Sequence, residues 1–359
     1  MKNLLALLLL LPLLLVVACS DDDDGADADN DSTPAASGGT DNEEDVTLRL
    51  GYFGNITHSQ PLVGLNNGIF AEELGANVEI EEKTFNAGPD VITALLAGEI
   101  DASYIGPNPA INGFVQSDGE ALRIVSGATS GGALFVVDPE SGISSAEDLD
   151  GKSIATPQLG NTQDVALRSY LEDNGLAAQE QGGSVRVLPQ ANADSLTAFQ
   201  QGNVDGAWVP EPWGTRIIQE AGGELFLDEA ELWPDGKYVT THLIVRTGFL
   251  EDHPDVVEKL VRANVKTTQF INDNPEEAKT LVNEGIERVT TKPLAQEVID
   301  AAWENIEITY DPVTSSLIES ADAAYALGFL ADEPNLEGIY DLSFLNNVLE
   351  AEGLTPIEE

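Results

Sequence analysis

The chain of 359 residues is poor in cysteine, methionine and positive charge, with one Cys, one Met and 16 Lys+Arg against 63 Asp+Glu. A single Cys excludes an intramolecular disulfide framework, so an exported form of this protein must rest on a packed core alone. A formal net charge of -47 leaves no basic surface for a phosphate backbone, which excludes nucleic acid as a partner. The three histidines, His58, His242 and His253, show no His-x-x-x-His spacing and have no cysteine beside them, so no metal site is expected. No Gly-x-Ser-x-Gly elbow occurs, and the lone Cys stands near the N-terminus; neither catalysis nor a cofactor is expected. What the chain does have is 42% hydrophobic residues, far above a disordered composition and enough to bury a sizeable core. At roughly 150 residues per domain, two domains are expected.

Met1-Lys2-Asn3 precedes an apolar run over residues 4–17, broken only by Ala6 and Pro12. This run matches the hydrophobic part of an export signal and is shorter than the roughly 20 residues that span a bilayer. The segment Val16-Val17-Ala18-Cys19 resembles a bacterial lipobox, which implies diacylation of Cys19 and removal of residues 1–18. Residues 19–45 then read as an acidic, disordered tether with no aliphatic side chain larger than alanine; like charges extend such a linker. Eleven of the acids lie there with no base, which leaves 52 acids and 15 bases, a net of -37, for residues 46–359. The acidity belongs mainly to the folded body.

From residue 46 onward, short apolar runs alternate with amphipathic stretches, the grammar of an α/β protein. Strands are expected over residues 46–53, 78–85, 102–105, 122–126 and 133–137, then over 153–156, 185–189, 206–209, 224–227 and 239–246. The two sets are related by a repeat: DVITALLAGEIDASYI (residues 90–105) aligns without gaps on DSLTAFQQGNVDGAWV (residues 194–209). The pairs Asp90/Asp194, Thr93/Thr197, Ala94/Ala198, Gly98/Gly202 and Asp101/Asp205 are identical, and Tyr104/Trp208 keeps its apolar character. Each copy reads as a helix opened by Asp, ended by a Gly that tolerates positive φ, and followed by a strand. Gly54-Asn55 and Gly160-Asn161 form a weaker echo. Two such lobes face each other across a cleft, with ligands expected at the carboxyl ends of the strands.

After residue 246 no strand is expected and helices dominate. Asn274-Pro275 opens one of them and Asp311-Pro312 another that runs to residue 329. This helical C-terminal region is expected to pack on the first lobe and make it discontinuous. Lobe 1 is then 46–134 plus 243–359, and lobe 2 is 135–242.

Residues 48–247 resemble the extracytoplasmic solute-binding lipoproteins of ABC importers, in the branch that handles aliphatic sulfonates, taurine and nitrate. The segments LRLGYFGNITHSQPLVGL, KTFNAGPDVITALLAGEIDASYIGPNPAING, KSIATPQLGNTQDVALRSYL, DGAWVPEPWGTRI and YVTTHLIV carry the resemblance. It implies a two-lobe periplasmic-binding-protein fold of type II, each lobe a mixed sheet flanked by helices. The implied work is capture of one small molecule, as a monomer held to the cell membrane by a lipid on Cys19, and its delivery to a permease and its ATPase. Thiamin-pyrimidine synthases also resemble this superfamily, but with a Cys-rich motif absent here.

The cleft candidates lie on the loops GNITHS, GPNPAI, LGNTQD and PEPWG. Gly160, Asn161, Thr162 and Gln163 form the preferred oxyanion cradle, with backbone N–H groups at a helix start and no need for Lys or Arg. Asn55, Thr57, Thr241 and the histidines His58 and His242 fall in segments expected at the cleft. Gly106 with Asn108 makes a turn before a helix, in which Asn108 either caps or binds. Ser130, Gly131 and Gly132 either approach a ligand or form a hinge. Glu211 either meets a ligand ammonium or caps the following helix and serves lobe closure, and Trp213, like Tyr52 and Phe53, is either a ligand wall or core. A small anion is the first reading of the ligand. The absence of Lys and Arg from all four loops keeps a neutral heterocycle such as a pyrimidine open, and a surface lipoprotein with no transport role is the remaining alternative.

Overall fold

The computed structural model describes residues 45–358; the expected signal peptide, Cys19 and the tether up to residue 44 lie outside the described residues. The chain forms strands β1 (Val46–Phe53), β2 (Val78–Phe85), β3 (Ala102–Ile105), β4 (Leu122–Gly131), β5 (Ala133–Val137), β6 (Ser153–Thr156), β7 (Arg186–Pro189), β8 (Gly206–Pro210), β9 (Glu224–Asp228), β10 (Val239–Arg246) and β11 (Ile306–Ile308). They make two mixed sheets, ordered β11-β4-β10-β3-β1-β2 and β7-β6-β8-β5-β9. Apart from β11, the two orders are the same: β2, β1 and β3 answer to β7, β6 and β8 in parallel, and β10 and β4 answer to β5 and β9 in antiparallel pairing. The chain passes from the first sheet to the second between β4 and β5 and returns between β9 and β10, so each sheet takes in one strand next to a crossover.

The repeat read from the sequence recurs in atomic detail. Thr93 and Thr197 each donate to the carbonyl four residues back, at 3.0 and 2.9 Å. Gly98 and Gly202 close their helices at φ values of 71° and 67°, the left-handed conformation that glycine adopts without a Cβ penalty. The carboxylate of Asp101 accepts the N–H of Arg49 in β1, and that of Asp205 accepts the N–H of Ser153 in β6, at 3.1 and 2.7 Å. Tyr104 and Trp208 are both fully buried. Asp90 and Asp194, expected to cap their helices, sit instead in the first turn, with Ala87 and Ala191 at the caps; an acid there still opposes the helix dipole favourably.

Both faces of each sheet are covered. Helix Pro254–Asp273 lays Val257, Leu260 and Val261 against Leu48, Leu50 and Tyr52, and helix Thr314–Ala326 brings Leu317 and Ala321 to the other face, beside Ile105, Ile111 and Phe114. In the second lobe Phe135, Ile154, Leu167 and Trp208 form one layer and Leu134, Ala155, Leu196 and Val209 the other. The C-terminal helices thus return to the first sheet.

Several elements depart from expectation. β4 runs five residues past position 126 because Ser126–Gly131 pair with β10 and β11, although a Ser/Gly/Thr run has little strand propensity of its own. β11 is a strand where none was expected; three residues are too few to show a period. Residues 133 and 134, expected in lobe 1, pair in the second sheet, and residues 239–242, expected in lobe 2, pair in the first. The Asn274 side chain does not cap helix Pro275–Thr290 but donates back to the Phe270 carbonyl. The helix expected from residue 311 starts at Thr314 and ends at Ala326. Among the described residues no helix is long and apolar enough to cross a membrane.

Candidate functional site

The carboxyl ends of the parallel strands of both sheets meet at one small cavity between the lobes. From the first lobe it is lined by Phe53 at the end of β1, by Asn55, Thr57 and His58 just beyond it, by Asn86 after β2, and by Gly106 after β3. Thr240 and Thr241 of β10 complete that side. The second lobe contributes Asn161, Thr162 and Gln163 after β6, Asn192 after β7, and Pro210 at the end of β8. Helices open at or beside Gly106, Asn161 and Asn192, so the positive ends of their dipoles are directed at the same place.

The lobes are closed on this site. The cavity measures about 20 Å³, room for about one water molecule. At its narrowest, a Cβ on Gly106 of one lobe would stand 2.5 Å from the Thr162 hydroxyl of the other; only glycine permits this approach. Four lining residues carry buried side-chain atoms without a hydrogen-bond partner: His58 Nδ1, Thr162 Oγ1, Asn192 Oδ1 and Thr241 Oγ1. Buried polar atoms are ordinarily satisfied, and each one left unpaired costs roughly 1–3 kcal/mol. Four around one cavity mark a place where a polar guest supplies the missing partners.

No Lys, Arg, Asp or Glu lines the cavity. Burial pulls the His58 pKa down to about 3, which leaves the imidazole neutral, stacked on Phe53 with centroids 4.3 Å apart. Two acids adjoin lining residues in sequence, Glu211 next to Pro210 and Asp164 next to Gln163. Burial raises the pKa of Asp164, and it is held by the Gly160 N–H at 2.9 Å, the Thr156 hydroxyl at 2.9 Å and Arg168 at 3.2 Å. With Arg168 as its pair, it adds no net charge to the cleft. Neutral hydroxyls, amides and imidazole, backed by helix dipoles, are therefore the recognition groups.

The residues proposed from sequence divide into those that meet here and those that do not. Asn55, Thr57, His58, Gly106, Asn161, Thr162, Gln163 and Thr241 meet at the cavity. Gly160 is beside it, but part of the cradle is already occupied: the Gly160 N–H goes to Asp164, and the Thr162 N–H goes to the Asn161 side-chain oxygen at 2.9 Å. Asn108 is turned away and donates to the Ser320 carbonyl, tying two helices together. His242 faces the other way as well, with Nε2 3.0 Å from the Pro312 carbonyl. Ser130, Gly131 and Gly132 form the first crossover; Gly131 and Gly132 have φ of 75° and 80°, and the Gly132 carbonyl accepts the Glu211 N–H.

Glu211 is fully buried and its carboxylate is occupied. It accepts from the Thr215 N–H and hydroxyl at 3.0 and 2.7 Å, capping helix Trp213–Ala221, and from Asn305 of the first lobe at 2.6 Å. Trp213 lies outside the cavity, with its indole donating across the cleft to Asn55 at 3.0 Å. Gln158 reaches Asp90 at 3.1 Å, a third link between the lobes. Glu211 and Trp213 thus each bond to the first lobe rather than line the cavity.

Asn86, Asn192, Pro210 and Thr240 were not anticipated. Extending the repeat upstream of Asp90 and Asp194 sets FNAGPD beside PQANAD, with Asn86 opposite Gln190 and Asn192 opposite Gly88, so the only signal for the two asparagines was that each lies near a helix start. Thr240 had none, because it depends on where the second crossover re-enters the first sheet.

Residues 41–284 match the model of the NMT1-like family. A taurine-binding periplasmic protein of Escherichia coli (strain K12) is 28% identical over 222 residues, 61% of this chain and 66% of that protein, just short of two thirds of its length. A putative aliphatic sulfonates-binding protein of Bacillus subtilis (strain 168) is 24% identical over 321 residues, 86% of this chain and 90% of that one. Among solved structures, the periplasmic nitrate-binding protein of Synechocystis PCC 6803 superposes with a TM-score of 0.71 at 15% identity, covering 86% of this chain and 89% of that one. The alkanesulfonate-binding protein of Xanthomonas axonopodis pv. citri, bound to MOPS, gives 0.70 at 19% identity, covering 83% and 99%.

Proposed function

The chain belongs to the NMT1-like family, and from that premise we propose that it is the solute-binding component of an ABC importer whose two lobes close on a small oxyanion, a sulfonate or a nitrate-like ion. The observation that carries the reading is the convergence on one interlobe cavity of three unpartnered buried groups able to donate, Thr162 Oγ1, Thr241 Oγ1 and His58 Nδ1; the fourth unpartnered atom, Asn192 Oδ1, is an acceptor. Hydroxyls of Thr162 and Thr241 donate to oxyanion oxygens, as does His58 Nδ1 in the tautomer that carries its proton there. Helix starts at Gly106, Asn161 and Asn192 supply positive potential without a formal charge, as helix N-termini do for anions. A cavity of about 20 Å³ is too small for a sulfonate, so the ligand enters an open form and the lobes close around it by hinge motion at the crossovers. The named relatives are sulfonate- and taurine-binding proteins, in keeping with this ligand class and with an extracytoplasmic place of work. In this reading the protein has no catalytic step, acts as a monomer with a permease and its ATPase, and is held to the membrane by a lipid on Cys19 across the acidic tether.

A thermal-shift panel of taurine, alkanesulfonates, nitrate and pyrimidines tests the ligand class. A true ligand at 100 times its dissociation constant adds about 2.7 kcal/mol of stability. A shift with sulfonates or nitrate is expected; no shift with any anion, or a shift with pyrimidines alone, rejects the oxyanion reading. Cys19→Ser is expected to move the protein from the membrane fraction to the soluble one, and retention on the membrane would remove the lipid anchor from the proposal.

A further inference from the structure

Beside the oxyanion cleft lies a second, larger cavity of about 230 Å³. One wall is helix Thr162–Asp173 of the second lobe, the facing wall is helix Thr314–Ala326 of the first, and the floor is the crossover segment before β10. The carboxylates of Asp173, Glu229 and Glu319 line it with the rings of Tyr170 and Trp233, and no Lys or Arg does. Thr162 belongs to both cavities, and its hydroxyl is buried without a partner. The Trp233 ring is held in place by stacking on Tyr238, 5.6 Å between centroids and 11° from parallel.

We propose that this second cavity is a binding site for a quaternary ammonium group. Three acids with no base attract a cation, and aromatic faces add a cation–π term that grows as the site is desolvated. Hydrogen bonding favours a methylated cation over a primary one. Glu229 is buried, its carboxylate already accepts the Trp208 indole N–H at 2.8 Å, and burial raises its pKa to about 7, so it offers no free acceptor and the field comes chiefly from the exposed Asp173 and Glu319. A methylated ammonium asks for no acceptor, and the cavity is larger than a bare ammonium ion needs. Because the walls come from both lobes, the bound cation spans the closed cleft. Apart from Thr162, the site's lining residues are distinct from those of the oxyanion cleft.

Isothermal titration calorimetry and thermal shift of the purified protein with tetramethylammonium chloride, against ammonium chloride and NaCl at equal ionic strength, test it. Tetramethylammonium is expected to bind saturably and to raise the melting temperature above both controls. Trp233→Leu, and separately the double variant Asp173→Asn, Glu319→Gln, are each expected to weaken that binding about tenfold, the scale of a partly desolvated cation–π or paired charge. The double variant alters two exposed side chains and keeps the test open if Trp233→Leu does not fold. Its affinity for whichever anion the panel identifies is expected to be unchanged, which separates this site from the oxyanion reading. Equal effects of tetramethylammonium and NaCl, binding of ammonium as tight as that of tetramethylammonium, or wild-type affinity in the double variant would overturn the assignment.

Discussion

Thr162 concentrates the conflict between stability and function in one side chain. Its hydroxyl is buried and unpartnered, facing Gly106 across the lobes, so the folded protein bears a cost that a ligand would relieve. Thr162→Val keeps the shape and removes the orphaned group. It is expected to leave the melting temperature unchanged or slightly raised while weakening anion affinity by about tenfold, one hydrogen bond's worth; calorimetry against thermal denaturation separates the two effects. His58 and His242 give a second prediction. Burial holds their pKa values at about 3 and about 4, below the ordinary histidine value of 6.5. The unfolded chain therefore binds protons that the folded one refuses, so stability is fully present above about pH 6.5 and declines as pH falls toward 4, by up to about 1.4 kcal/mol per pH unit for each histidine. Melting curves of His242→Asn beside the wild type from pH 7.5 to 4.5 isolate this contribution from that of Glu229, whose pKa burial raises to about 7 and which acts in the opposite direction over the same range; the variant is expected to lose less stability than the wild type as pH falls. At this scale Asn161, Thr162 and Gln163 were legible as a polar helix start. The opposite orientations of His58 and His242 were not, since both are histidines in predicted cleft segments and only the strand register turns one toward Pro312.

At the scale of elements, the repeated Asp has two fates from one position. Asp101 and Asp205 each lock the strand before them through backbone N–H groups of Arg49 and Ser153, but only Asp101 also meets guanidinium groups, Arg49 at 2.6 Å and Arg246 at 3.0 Å. Burial alone would raise its pKa, and the hydrogen bonds from Arg49 and Arg246 outweigh burial and hold it below the usual range. Its stabilisation is thus present above about pH 4 and lost as the carboxyl protonates in more acidic solution. Asp101→Asn is expected to cost about 2 kcal/mol, somewhat under the usual penalty for breaking a buried pair because both arginines are partly exposed. Asp205→Asn, with no cation to strand, should cost about half of that, and urea denaturation of the two variants makes the comparison. The repeat itself could be read by eye because helix, glycine and strand have local signatures. The long reach of β4 could not, because Ser, Gly and Thr become strand there only by pairing with neighbours distant in sequence, and three residues of β11 are too few to show a period.

The whole molecule carries a net of -37 over residues 46–359 and is proposed to bind an anion. Long-range attraction does not assist capture of an anion, so in that proposal recognition falls to short-range dipoles around a cavity that no charged side chain lines. Self-repulsion of such a body weakens the compact state, and salt with a Debye length of about 10 Å or less screens it. The melting temperature is expected to rise by several degrees between low and molar NaCl, and a flat profile would show that the charge is already balanced locally. Three hydrogen bonds join the lobes across the cleft, Trp213 to Asn55, Asn305 to Glu211 and Gln158 to Asp90.

The sequence by itself determined the α/β class, the paired lobes and the loops that face each other, because periodicity, glycine stops and an internal repeat are local properties that survive reading one residue at a time. Tertiary structure alone decided which of those loops' side chains meet. Glu211 and Trp213 sit in a cleft motif, but one carboxylate goes to a helix start and one indole bonds across to Asn55. Thr240 and the acid-lined cavity beside Thr162 owe their places to the way the C-terminal helices and the second crossover return to the first sheet. Burial and partnering depend on which surfaces come into contact, and no local pattern records that.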